Sequence, residues 1–408
     1  MPLAPIRARE SHRPRHIFIA SVILLILLII AFAWLNPYLD AASVLLRVGS
    51  ANAEGLLARH DTNRVETSLV TFSTTVRPVR ARYYIPVGVA KPAAMIVLHG
   101  VHHLGIDEPR LVNFSQALAS HGVLVMTPEL TTLADYHIEP GGIDVIGGSA
   151  QELKRQAGAD SVSMLGLSFA GSLALLAAAD PKYANDISVV ASIGGYEDLG
   201  RVLRYFATNS IVGPNGDRFQ LPAHEYGMLV VAYSHPEDFF SSEDLPVARE
   251  ALREQLYENV NAAKALANRL SPPGRTLMEE LLANKTGVLS ADLLAALRKH
   301  QADAEAVSPA GKLSTITADV FLAHGAGDNV IPPTETEWLA REVPREHLEA
   351  VLISPVISHV EVGGKASFAD QWRLVHFMEE FLADSALKAR TSHGLKLPAA
   401  RLQAPATR

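Results

Sequence analysis

The chain has 408 residues, 48% hydrophobic and 19% charged, with a net charge of −7 and no cysteine. That length suffices for one large core with an insertion or for two modest domains, and the balance is that of a globular protein. The acidic charge gives no basis for a nucleic-acid partner. The missing cysteine excludes disulfides, thiolate metal sites, a lipid-modified cysteine and a cysteine nucleophile.

Residues 17–35, IFIASVILLILLIIAFAWL, carry no charge and are almost wholly apolar. At 1.5 Å per residue this segment reaches roughly 28 Å, close to a bilayer core of about 30 Å, so the lipid bilayer is an expected partner of residues 17–35. Arg7, Arg9, Arg13 and Arg15 precede it against Glu10, whereas Asp40, Arg47, Glu54, Arg59 and Asp61 beyond it roughly cancel. The excess of positive charge puts residues 1–16 in the cytoplasm and the body of the protein outside it, in the periplasm if the cell is a Gram-negative bacterium. Trp34 and Tyr38 suit the interfacial aromatic belt. The alternative is a cleaved signal peptide and a secreted body, because Ala31-Phe32-Ala33 resembles a cleavage site. A buried soluble helix is disfavoured, since no polar face exists.

Residues 36–63 form an expected juxtamembrane segment, of which 36–60 read as a helical stretch with a ragged apolar face at Leu39, Ala42, Leu45, Leu46 and Val48. Residues 64–86 are rich in Val, Thr and Tyr with partial alternation, which predicts two opening antiparallel strands. Short apolar runs then alternate with helical patterns. The runs are Ala94–Leu98, Val123–Met126, Val162–Leu165, Ile187–Ile193, Val320–Ala323 and Ala350–Ile353. The helical stretches are 109–120, 143–156, 170–180, 334–342 and 366–384. Continuous apolar strands between helices predict a mostly parallel sheet covered on both faces. The interval 203–313 breaks this rhythm. Val247, Ala248, Leu252, Leu256, Val260, Ala263, Leu266 and Leu270 step by three or four and predict one helix ended by Pro272 and Pro273, with Ser290 capping the next. The expected division is therefore 64–202 and 314–384 for the two parts of an α/β core, 203–313 for a helical insertion, and 385–408 for a disordered basic tail.

Four segments carry candidate chemistry. Gly166-Leu167-Ser168-Phe169-Ala170-Gly171 joins a predicted strand to an apolar helix, where a serine on a sharp turn needs small neighbours. Gly166 and Ala170 flank Ser168, Gly171 lets the helix approach the sheet, and the Phe169 amide opens the helix towards a developing oxyanion. The plainer reading of Ser168 is an ordinary helix cap. In the second segment, 95–103, a buried strand ends in His99-Gly100, whose tight turn would let the Val101 amide join that of Phe169 in an oxyanion hole. His99 reads as a structural hydrogen-bonding residue. A metal site at His99, His102 and His103 is disfavoured because no carboxylate stands beside them, and neither a metal nor a cofactor is expected. In the third segment, 320–333, Asp328 follows a strand that ends in a glycine-bearing loop, where a carboxylate could orient a histidine; a turn aspartate is its plainer reading and Asp198 is a rival acid. In the fourth, His359 follows a strand 31 residues later, with Glu361 as a loop charge beside it.

In the order oxyanion strand, Ser, Asp, His, each at the carboxyl end of a predicted parallel strand, these segments resemble the α/β-hydrolase superfamily, especially its dienelactone-hydrolase-like and cap-bearing esterase branches. The resemblance covers about residues 64–384 and rests on His99-Gly100, residues 166–171, Gly325 to Asp328 and His359. It implies an α/β-hydrolase fold with a helical cap at 203–313, and a serine esterase with the triad Ser168, Asp328 and His359 acting on a small-molecule acyl ester. Dienelactone hydrolases generally use cysteine, so that substrate is not expected. Other readings are a peptidase or amidase, an acyltransferase, and a membrane-tethered binding protein without turnover. The acyl group, the leaving group and the oligomeric state are not legible.

Overall fold

A computed structural model of the protein describes residues 13–49, 53, 55–358, 361–362 and 366–390. Its centre is an eight-stranded sheet built from β1 (Val65–Ser73), β2 (Pro78–Pro86), β3 (Ala93–Leu98), β4 (Val123–Pro128), β5 (Val162–Leu167), β6 (Ile187–Ile193), β7 (Asp319–Gly325) and β8 (Leu348–Ser354). The spatial order is β1-β2-β4-β3-β5-β6-β7-β8. Only β1–β2 and β2–β4 pair antiparallel; the other five pairings are parallel.

The side-chain period of two sorts each central strand between two cores. In β3, Ala94, Ile96 and Leu98 join one hydrophobic cluster while Met95 and Val97 join the other. Both faces are covered, so β3, β4 and β7 are buried at every position and are apolar through their centres. The first face is covered by α3 (Gly141–Ala157) and α4 (Phe169–Ala179). The second is covered by α2 (Pro109–Ser120), the C-terminal helix Phe368–Lys388 and the end of α1 (Arg13–Gly49). The C-terminal helix runs to Lys388, past the expected limit at Asp384, because Ala389 and Arg390 still bond the start of β3. The rest of the expected basic tail, 391–408, lies outside the described residues.

The stretch expected to follow the membrane segment as a helix is helical only as far as Gly49, as the continuation of α1; the described residues 55–63 are turns and coil. Phe18–Phe32 is exposed apolar helix, and the same helix then docks on the core with Ala41, Val44 and Leu45 buried against α2 and the C-terminal helix. The docked face differs from the ragged stripe in the sequence, and Leu46 is exposed. Polar pairs fix its rotation: His60 Nε2 meets Asn36 Oδ1 at 2.9 Å, His121 Nε2 meets Ser43 Oγ at 3.0 Å, and Arg47 donates to Ser120 Oγ. Tyr38 stacks on Trp372 with ring centroids 5.2 Å apart.

Between β6 and β7 the chain is mostly helical, with a small hairpin pairing Ser210–Val212 with Arg218–Gln220. Three local expectations fail here. The predicted helix over 247–270 is two helices, Leu245–Leu256 and Val260–Ala267, separated by a turn in which Glu258 takes φ +67°. Pro272 and Pro273 begin the following helix rather than end the preceding one: proline fits a first turn, and Ser271 caps it by accepting from Gly274 N. Ser290 lies inside the helix Thr286–Lys299 and caps nothing.

The docked half of α1 is separable from the exposed half. Removing residues 1–35 should leave the urea midpoint nearly unchanged. Removing residues 1–49 also strips Val44 and Leu45 from the core, and should cost about 3–6 kcal/mol at ~1.5–3 kcal/mol per buried aliphatic side chain.

Candidate active site

β5 ends at Leu167, and Ser168 turns the chain into α4 with φ +55° and ψ −133°. A side chain in this region strains the backbone, so the surroundings must hold it there. They do so through Ser168 N, which donates to Ile193 O at 2.7 Å, and Gly171 N, which donates to Ser168 O at 2.9 Å. The serine side chain makes no capping hydrogen bond, so the plainer reading of Ser168 as a helix cap does not hold.

The flanking small residues are required by contact. A Cβ on Gly166 would lie 2.6 Å from both Ala170 O and Gly171 Cα, and one on Gly171 would lie 2.4 Å from Ser192 Oγ. Ala170 is buried in the core, which has room for its methyl group where it would have none at 166. The alanine is therefore a fit to this turn.

The loop after β3 closes on the same turn. A Cβ at Gly100 would sit 3.2 Å from Ser168 Cβ, which is how near the two backbones pass. His99 is buried, with Nδ1–H donating to Gly100 O at 2.8 Å and Nε2 accepting from Leu130 N at 3.0 Å. Both ring nitrogens are thus committed to backbone, and burial pushes the imidazole below its ordinary pKa. His102 stacks on His103, and His103 stacks on Tyr257 of the insertion. Val101 lines a cavity together with Gly100 and Ser168.

Two strands along the sheet from β5, Asp328 is buried in the loop after β7. Its Oδ1 accepts from Val330 N at 2.8 Å and Ile331 N at 3.1 Å, which fixes the plane of the carboxylate. His324, whose side chain the sequence reading did not single out, braces this loop: Nε2 donates to Ile331 O at 2.8 Å and lies 3.4 Å from Asp328 Oδ2. Its only sequence signal was a polar residue inside an apolar run. The insertion reaches the same loop, since Asn329 O accepts from both Tyr205 OH at 3.0 Å and His224 N at 2.8 Å. Burial raises the Tyr226 phenol well above its ordinary pKa, and the charge on Asp328 adds to the shift. The rival acid Asp198 instead caps the helix Leu199–Thr208 by accepting from Arg201 N at 3.2 Å. His359 lies outside the described residues, as does the side chain of Glu361.

Two measurements test this architecture. Gly166→Ala forces backbone atoms apart and should cost about 2–3 kcal/mol in urea unfolding. Ala170→Gly should cost only about 1 kcal/mol, the helix penalty of glycine. His99 is held neutral in the folded state with a lowered pKa, so the unfolded chain takes up the proton first. The stability it contributes is complete above a pH of about 6.5 and is lost as the pH falls below that value. Thermal unfolding at pH 5 against pH 8 should show a smaller pH difference in His99→Gln than in the parent.

No protein-family model and no curated protein matches the sequence. Solved structures do match it in shape. Brefeldin A esterase, a bacterial homologue of human hormone-sensitive lipase, is 16% identical, with 87% of this chain and 85% of that chain covered and a TM-score of 0.44. An esterase of Pyrobaculum calidifontis is 14% identical over 86% of this chain and 90% of that one, with a TM-score of 0.42. The 2-hydroxy-6-oxo-6-phenylhexa-2,4-dienoate hydrolase of Rhodococcus sp. strain RHA1 is 16% identical over 78% and 99%, with a TM-score of 0.39. With its strand order, its strained serine turn after β5 and its acidic loop after β7, the chain has the α/β-hydrolase fold.

Proposed function

We propose that the protein is a serine hydrolase that cleaves a carboxylic ester through an acyl-enzyme. The observation that carries this reading is the backbone of Ser168. A non-glycine residue in so strained a conformation, with its side chain uninvolved in capping, is where folds of this kind expose a nucleophile. In the proposed reaction His359, oriented by Asp328, takes the Ser168 hydroxyl proton as Oγ bonds to the acyl carbon. The amides of Val101 and Phe169 donate hydrogen bonds to the carbonyl oxygen as negative charge develops on it; Phe169 opens its helix, so its N–H has no intrahelical acceptor. His359 then gives the proton to the departing alcohol oxygen. A water molecule, deprotonated by the same histidine, attacks the acyl carbon, and the carbon–Oγ bond breaks as His359 returns that proton to Oγ, releasing the acid.

The helices between β6 and β7 act in this reading as a cap that bears on the acid loop through Asn329 and helps to set substrate choice. The N-terminal helix acts as an uncleaved membrane anchor. Its support is that Phe18–Val48 is long and apolar enough to cross a membrane and belongs to the same helix that docks on the core at Ala41, Val44 and Leu45.

The test uses p-nitrophenyl esters and a fluorophosphonate that reacts only with an activated serine. Ser168→Ala should lose nearly all turnover and all labelling while keeping the parental unfolding midpoint. Asp328→Asn should lower kcat by about 10⁴-fold. The rate should rise with pH through about 6.5, as a histidine base loses its proton. A folded parent that takes no label at Ser168 would instead indicate a binding protein without turnover.

A further inference from the structure

We propose that the substrate is a long-chain acyl ester resident in the bilayer, and that its chain lies in the cavity beside Ser168. This inference rests on the serine-esterase reading above.

The cavity, of about 120 Å³, is lined by Gly100, Val101 and Ser168 and by residues of the core under the second face of the sheet. Its polar lining is His99, His102, Glu108 and Arg110 together with Ser168; the remainder is walled by aliphatic and aromatic groups such as Leu111, Phe114, Leu374 and Phe377. A mainly apolar pocket with a few polar groups and one candidate nucleophile suits an apolar tail that carries one ester.

The wall of this cavity includes Leu45 and Val48 of α1. These residues belong to the same continuous helix whose Phe18–Phe32 stretch is exposed and apolar, and the span Phe18–Val48 is long and apolar enough to cross a membrane. One helix therefore joins the membrane-crossing segment to the cavity wall. From Leu35 to Leu45 and Val48 the rise is about 15–20 Å. That is close to the thickness of one leaflet of acyl chains, about 15 Å, so a chain with its end still near the bilayer can place its ester near Ser168.

The surface between the two points is also suited to lipid. Trp34 and Tyr38 on α1 and Trp372 on the C-terminal helix form a contiguous aromatic group, and Phe368, one turn before Trp372, is 80% exposed. Aromatic rings at this height are what an interfacial belt requires. The C-terminal helix thus carries exposed aromatics at its start and, within two further turns, Leu374, Phe377 and Met378 in the cavity wall.

The experiment uses the full chain in vesicles of dialkyl ether phosphatidylcholine, a host with no ester to cleave. p-Nitrophenyl butanoate and p-nitrophenyl hexadecanoate are the probes. The parent should turn over the hexadecanoate with a kcat/KM at least tenfold above that of the butanoate. The rate should also be at least tenfold higher when the hexadecanoate shares the enzyme's vesicles than when it is supplied in separate ones. Val48→Phe, and independently Met378→Phe, narrow the cavity and should lower the hexadecanoate-to-butanoate ratio at least tenfold; because the ratio is internal, it does not depend on how much of a variant folds. Ser168-dependent hydrolysis without a preference for the long chain, or with a ratio that neither variant moves, would overturn this inference and leave the esterase standing. Equal rates from shared and separate vesicles would overturn the bilayer as source. Hydrolysis of both probes that survives in Ser168→Ala would instead remove the esterase reading itself.

Discussion

The close approach of β5 and α4 constrains everything around it. Ser168 takes a backbone conformation that an L-residue resists, and it stays there because the sheet on one side and the helix on the other leave no alternative. The amide of Ser168 is held by the end of β6, and the turn can be this tight only because residue 166 has no side chain. The strain is offset by the burial of α4, whose residues are all inside the protein. A serine on a relaxed loop would be mobile; here the position of Oγ is set by the rigid core of the molecule.

The same logic extends to the neighbouring loops. The loop after β3 is pinned from behind by His99, which bonds two backbone groups at once, and the loop after β7 is pinned by His324. The insertion is bound to this frame at more than one point. Besides the contacts to Asn329, Arg201, in the helix that leads into the insertion, forms an ion pair with the buried Glu335 at 2.6 Å, and Glu335 Oε2 also accepts from the backbone of Glu197 and Asp198. Asp135, in the loop after β4, accepts from Tyr257 OH at 2.7 Å and Arg253 Nε at 3.2 Å, both from the insertion. Movements of the insertion therefore strain the loops that hold the candidate site.

Much of this was legible in the chain itself, for a physical reason. A strand buried on both faces must be apolar throughout, so the central strands stand out as short unbroken runs, and the turn at Ser168 announces itself by small residues where a side chain would collide. Other features left weaker marks. The docked face of α1 includes Ala41 and Ser43, too small and too polar to form a visible stripe. The break at Glu258 uses neither glycine nor proline, and the apolar periodicity continues across it because both helices pack on the same core. The two prolines at 272 and 273 can begin a helix as readily as they follow one, and only the cap at Ser271 decides. His324 was hidden in a strand, and the contribution of α1 to the cavity depends on packing between segments more than sixty residues apart. His359 had its signal in sequence order alone.

The unbroken passage of α1 from bare apolar helix to docked helix has a kinetic side. A catalytic domain joined to an anchor by a loose linker samples many heights and tilts above the membrane, and meets its substrates as a tethered solute. In the anchored reading proposed above, the anchor helix is itself part of the core, so the domain keeps one height and one orientation and meets bilayer molecules in two dimensions. On that reading the quantity that would govern its rate is the number of substrate molecules per unit area of membrane, and diluting the whole suspension would leave that number as it was.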